Sequence, residues 1–153
     1  MAQHAMFTTR LFMVFAALAL AGARADALVG PTSEAREFAP HVVMALAQSG
    51  RGSGFCSGAV LAPNVVLTAA HCVAAPSATR VHFRDGAGAP VLVEVRRVAR
   101  HPGFRADAVA ARVKSIDLAL IETKEALPSS FAPVAIGDAT ANIGDRFDVA
   151  ALG

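Results

Sequence analysis

A chain of 153 residues with 14 basic and 12 acidic side chains carries a formal charge of only +2. Arg10 and Arg24 fall within the first 25 positions, so the remainder balances twelve basic residues against twelve acidic ones, and nothing in that balance argues for a nucleic-acid or other polyanion partner. The two Cys, Cys56 and Cys72, lack the paired spacings of a structural zinc site even with His71 beside one of them, and no metal or cofactor is expected.

Met1–Arg10 ends in a positive charge. Leu11–Ala23 then runs 13 residues without a charged side chain, and Ala23-Arg24-Ala25 puts small residues at the two positions a signal peptidase reads. A spanning helix needs ~20 apolar residues, and this run is shorter. Residues 1–25 are therefore read as a signal peptide, with the exported chain starting at Asp26. That implies secretion, to the periplasm or the extracellular space, with no stable membrane span after cleavage. An exported chain with an even number of Cys reads as disulfide-bonded. Cys56–Cys72 is then the one intramolecular pairing, and two buried free thiols are the alternative.

From Val42 onward the chain reads as short strands separated by turn signals. Val42–Ala47 is the first strand. Gln48–Gly54 follows as an exposed loop, because its three Gly tolerate the backbone of tight turns. Phe55–Leu61 is the second strand, Pro63-Asn64 a turn and Val65–Thr68 the third strand. Ala69–Val73 suits one helical turn, stopped before Pro76. Thr79–Phe83 is a fourth strand, turned by Asp85-Gly86. In Val91–Arg100 the residues Val91, Val93 and Val95 alternate with Leu92, Glu94 and Arg96, the pattern of a half-buried antiparallel strand. Asp117–Thr123 is a sixth strand whose apolar middle predicts burial on both faces. Pro128 makes Lys124–Ser130 a connector. The count predicts an all-β fold, a small six-stranded antiparallel barrel.

Three stretches carry a resemblance. Phe55-Cys56-Ser57-Gly58-Ala59-Val60 and Leu67-Thr68-Ala69-Ala70-His71-Cys72 place the two Cys sixteen positions apart, and Ile116-Asp117-Leu118-Ala119-Leu120-Ile121 follows. Together they resemble the chymotrypsin/trypsin family of serine peptidases, with its C-x-G-x-(L/V), (S/T)-A-A-H-C and D-(I/L)-A-L-(I/L) patterns. Leu28-Val29-Gly30 resembles the I-V-G-G that begins the mature enzymes, with Pro31 where the second Gly is usual. Phe131–Ile136 resembles the segment that crosses between the family's two barrels. Ile143–Gly153 is similar to the strand that opens the second barrel. The resemblance thus implies a trypsin-like first barrel over 26–136 and the start of a second over 137–153. It spans the family's N-terminal half. The G-D-S-G-G setting of the family's nucleophilic Ser occurs nowhere in the 153 residues.

The resemblance implies His71 as catalytic base and Asp117 as the acid that orients it, 46 positions later, with Cys56–Cys72 as a disulfide. A Ser hydroxyl needs a base within hydrogen-bond reach. An imidazole titrates near neutrality and can take and return that proton, and a carboxylate behind it sets its tautomer. The implied activity is a secreted serine endopeptidase acting on proteins or peptides, with these residues alone inactive for want of the Ser. The alternative is a non-catalytic secreted protein of the same fold, used for binding. His101, in His101-Pro102-Gly103-Phe104, is read as structural. His41 and His82 are read as exposed strand residues, and Ser57 as a small structural residue rather than a nucleophile.

Overall fold

The computed structural model describes residues 33–50, 52–138 and 140–152. The expected signal peptide and Leu28-Val29-Gly30 lie outside them. Six antiparallel strands are present: β1 (Val42–Ser49), β2 (Gly52–Ala62), β3 (Val65–Thr68), β4 (Thr79–Arg84), β5 (Pro90–Arg100) and β6 (Ala119–Thr123). They close in the order β1-β2-β3-β6-β5-β4, with β4 pairing back onto β1. A 3-10 turn over Arg36–His41 leads in, and a short helix, α1 (Ala108–Ala111), sits in the loop between β5 and β6.

A six-stranded barrel is narrow, so its interior must be filled by small or β-branched side chains. Val43, Ala45, Val60, Val66, Val81 and Ile121 are all fully buried there. Three buried Thr hydroxyls are each satisfied. Thr68 Oγ1 donates to Ser57 O at 2.9 Å, Thr79 Oγ1 to Ala75 O at 3.0 Å and Thr123 Oγ1 to Glu125 O at 2.6 Å. Such bonds offset the cost of taking a hydroxyl out of water.

Three elements differ from their sequence expectations. The expected loop over Gln48–Gly54 is mostly ladder. The β1–β2 register runs on through Gln48↔Ser53 to Ser49↔Gly52, so the hairpin is tight. Its turn uses Gly52 at φ 128°, a backbone that other residues rarely adopt. Strand β6 is not buried on both faces. Ala119, Ile121 and Thr123 point inward, while Leu120 is 41% exposed. In an antiparallel barrel only one face meets the core, and a continuous apolar run does not reveal which faces are covered. Finally, Phe147–Leu152 forms no strand. Among the described residues from 137 onward there is none, and Phe147 and Val149 are exposed.

The alternation expected in β5 holds through Val95, which is buried. A bulge then follows. Val95 faces Thr123 and Arg97 faces Glu122, leaving Arg96 as the extra residue. The extra residue shifts the phase, so Val98 also packs against the core. The segment expected to cross between barrels is pinned to this one. Ala132 N donates to Pro40 O at 2.9 Å and Val134 N to Val60 O at 2.8 Å, while His41 Nδ1–H donates to Ala132 O at 2.6 Å. His41 is therefore a fastening for that segment.

Candidate functional site

Strand β3 ends at Thr68, which pairs with Ala119 at the start of β6. Antiparallel pairing thus sets the exit of β3 beside the entrance of β6. The chain leaves β3 into a 3-10 turn, Ala70–Cys72, closed by Cys72 N donating to Ala69 O at 3.1 Å. The turn carries His71, and Asp117 stands two residues before β6. The loop that delivers Asp117 is tied to itself. His101 N donates to Leu118 O at 2.8 Å, Ile116 N to Gly103 O at 3.1 Å and Arg105 N to Ser115 Oγ at 2.8 Å. His101 belongs to this scaffold, its Nδ1 accepting from Gly103 N at 3.0 Å.

The two residues meet through two bonds. His71 Nδ1–H donates to Asp117 Oδ2 at 2.6 Å, and His71 N donates to Asp117 Oδ1 at 2.9 Å. Both carboxylate oxygens are used, so the carboxylate has little freedom to rotate. The ring hydrogen bond is the main cause holding the Asp117 carboxyl below its ordinary pKa, with desolvation opposing it and the His71 backbone N–H adding to it. A charge-assisted bond of this length is a strong one. It leaves Nδ1 protonated in the neutral ring and Nε2 with its lone pair. The His71 side chain is 64% exposed, so the ring is open to a partner. It borders an open cleft of about 680 Å³ shared with Ala70, Val73, Arg100, Phe104 and Asp117. Another cleft, of about 440 Å³ beside Leu46, Phe55 and Leu92, holds no acid–base pair.

The disulfide joins Cys56 in β2 to Cys72 in the turn, with 6.1 Å between the Cα atoms, inside the range that a bridge needs. It ties the residue after His71 to the barrel wall. Cys56, His71 and Cys72 bring their donor atoms within 4.8 Å of one another. A metal would need the sulfurs as thiolates, and both are in the disulfide, so the cluster reads as covalent scaffolding. Ser57 also finds a structural place. Its Oγ accepts from Leu152 N at 2.8 Å, holding the end of the described chain against β2. His82 Nδ1–H donates to Val91 O at 2.9 Å across the β4–β5 hairpin.

One neighbour carries no sequence signal. The Arg100 side chain, at the end of β5, donates from Nε to Ala70 O at 3.2 Å and from Nη2 to Val73 O, the carbonyls of the first residue of the His71 turn and of the residue that follows it. A basic residue at a strand end is ordinarily solvated, and nothing in its local sequence points to a turn nearly thirty residues earlier.

The family model that matches, trypsin, covers residues 28–153. Trypsin, alkaline A, of Manduca sexta is 31% identical over 157 residues, spanning 97% of this chain and 59% of its own length. Trypsin, alkaline B, of the same species is 29% identical with the same coverage. The solved structure of GrC is alike in fold, with a TM-score of 0.63 at 19% identity over 77% of this chain and 53% of its own. The chain spans 59% of the length of these two curated relatives. Among the described residues, no helix is long and apolar enough to cross a membrane. With the family model matched across the whole barrel and beyond it, the chain belongs to the trypsin family and is a serine protease-like protein.

Proposed function

We propose that this chain supplies the general base, His71, and its orienting acid, Asp117, of a secreted serine endopeptidase that cleaves proteins or peptides by acyl transfer. The observation that carries the reading is the 2.6 Å contact from His71 Nδ1 to Asp117 Oδ2. With Nδ1 engaged by the carboxylate, Nε2 keeps its lone pair; it lies 3.2 Å from Cys72 Sγ, a disulfide sulfur with no proton to donate, and is the nitrogen that can take a proton from an attacking hydroxyl and return it to the leaving amine. Asp117 stabilises the imidazolium that forms between those steps. This is the family's triad logic, and the residue roles are carried over from it.

The third member is a Ser hydroxyl. The family's G-D-S-G-G does not occur in these residues, and Ser57 is engaged with the Leu152 backbone. The oxyanion donors, often the largest electrostatic contribution to such catalysis, come from the same motif in the family. The 153 residues by themselves are therefore expected to cleave nothing. The test has two parts. The coding sequence beyond the codon for Gly153 is read for an in-frame G-D-S-G-G, and the product that includes it is assayed on casein and a mixed peptide library. Cleavage lost in His71→Ala supports the reading. A stop codon followed by unrelated sequence, or an intact motif with no cleavage, would favour a non-catalytic binding protein instead.

A further inference from the structure

We infer that Arg100 is a positioning residue for the His71–Asp117 pair, a role that rests on the reading just given. The 3-10 turn that bears His71 is only three residues long and has no side-chain cap, with Cys72 N donating to Ala69 O at 3.1 Å. So short a turn does not specify its own orientation, because helical structure gains stability only as successive bonds accumulate. Its placement must come from outside contacts. The disulfide holds Cys72, and Thr79 Oγ1 accepts from Ala74 N at 3.1 Å just beyond. The Thr68↔Ala119 pairing sets the exit of β3 beside β6, but neither the disulfide nor the Thr79 bond spans from the turn itself to the strand that leads from Asp117.

Arg100 does. Its backbone sits opposite Ala119 in the β5–β6 ladder, two residues past Asp117, and the next residue, His101, donates to Leu118 O at 2.8 Å. Its guanidinium then spans to Ala70 O and Val73 O. One side chain thus links the carbonyls flanking His71 to the strand that follows Asp117. A planar guanidinium suits this, since it presents several donors in a fixed fork where an ammonium offers a point charge. The cation also lies at the carbonyl end of the turn, where positive charge is favoured. If the turn swings away from β6, the His71–Asp117 bonds lengthen even though the barrel remains closed. Arg100 touches no reacting atom in this scheme. It acts through the His71 turn.

The tautomer of His71 reports this directly and needs no catalytic turnover. Free neutral histidine favours the Nε2–H form, so a dominant Nδ1–H form needs a partner such as Asp117 to fix it. In the ¹⁵N-labelled whole chain at about pH 8, where imidazole is neutral, long-range ¹H–¹⁵N correlation distinguishes the two ring nitrogens. The wild type is expected to show the Nδ1–H form. Arg100→Gln is expected to lower the ratio of Nδ1–H to Nε2–H about fivefold, the factor that one lost hydrogen bond implies. Arg100→Lys, which keeps the charge and the packing of the stem, is expected to fall between them and guards against a Gln variant that fails to fold. Arg96→Gln removes a β5 Arg that pairs with Glu122, so it controls for lost strand stability and is expected to leave the tautomer alone. An unchanged Nδ1–H signal in folded Arg100→Gln and Arg100→Lys overturns the positioning role while leaving the proposed base pair standing. A wild type in the Nε2–H form overturns both.

Discussion

Gly58 is the third residue of the C-x-G motif, and the structure gives a steric reason for it. A Cβ built there would lie 2.5 Å from Val66 Cγ1, 3.3 Å from Leu67 O and 3.7 Å from Val43 O. Carbon atoms prefer about 3.5–4.0 Å, so the shortfall against Val66 is roughly 1 Å. Val66 is fully buried and cannot swing into solvent. Either its χ1 leaves the rotamer well, at about 0.5–1.5 kcal/mol, or β2 and β3 part and weaken ladder bonds of about 1 kcal/mol each. Against this, replacing Gly by Ala restricts the unfolded chain and returns about 0.4–1 kcal/mol. Weakening two ladder bonds costs about 2 kcal/mol, which outweighs that return, and Gly58→Ala is expected to destabilise by about 1–2 kcal/mol, at the lower end of overpacking effects. Urea unfolding followed by circular dichroism measures it as a lowered midpoint at constant slope. The partner is identified by a double-mutant cycle. Val66→Ala alone is expected to cost about 2 kcal/mol, but combined with Gly58→Ala it opens the space that the new methyl needs. The double variant should then be more stable than the sum of the single losses by about 1 kcal/mol. Additive losses, or a Gly58→Ala midpoint equal to wild type, would refute the argument that the Val66 contact demands glycine here.

Replacing Cys72 with Ser opens a loop whose ends are sixteen positions apart, and the chain-entropy relation puts the loss at about 3 kcal/mol; the same loss should follow thiol reduction of the wild type, read by urea unfolding under both conditions. Asp117 is held below the ordinary Asp value by its bond to His71. A depressed folded pKa contributes stability that is present above the unfolded value of about 3.9 and is lost as pH falls through the folded one. Titration of the Asp117 carboxyl carbon by NMR should therefore show a midpoint below that value, returning towards it in His71→Ala. The pair is substantially exposed, so the effect on stability should be small and screened by salt, and a midpoint unmoved by His71→Ala would contradict the bond as its cause.

The class of fold and most strand positions are legible in the residues alone, because alternation in Val91–Val95 and the turn residues at Pro63-Asn64 and Asp85-Gly86 are local signals that need no partner. The sequence also pointed to His71, Asp117 and the two Cys through family resemblance, since residue order and spacing are preserved in the chain itself. Burial of β6 was not legible, for a run such as Leu118-Ala119-Leu120-Ile121 is equally apolar whether one face or two are covered, and only closure of the barrel left Leu120 outward. The bulge at Arg96 likewise depends on how β5 meets β6, as does the packing of Val98 that results from it. The meeting of His71 with Asp117 was a tertiary decision as well. It follows from β3 pairing with β6 in the register Thr68↔Ala119, and register is a property of two strands together. Arg100 shows the same division, because a side chain nearly thirty residues from the turn it ties down becomes its neighbour only when β5, β6 and β3 stand side by side.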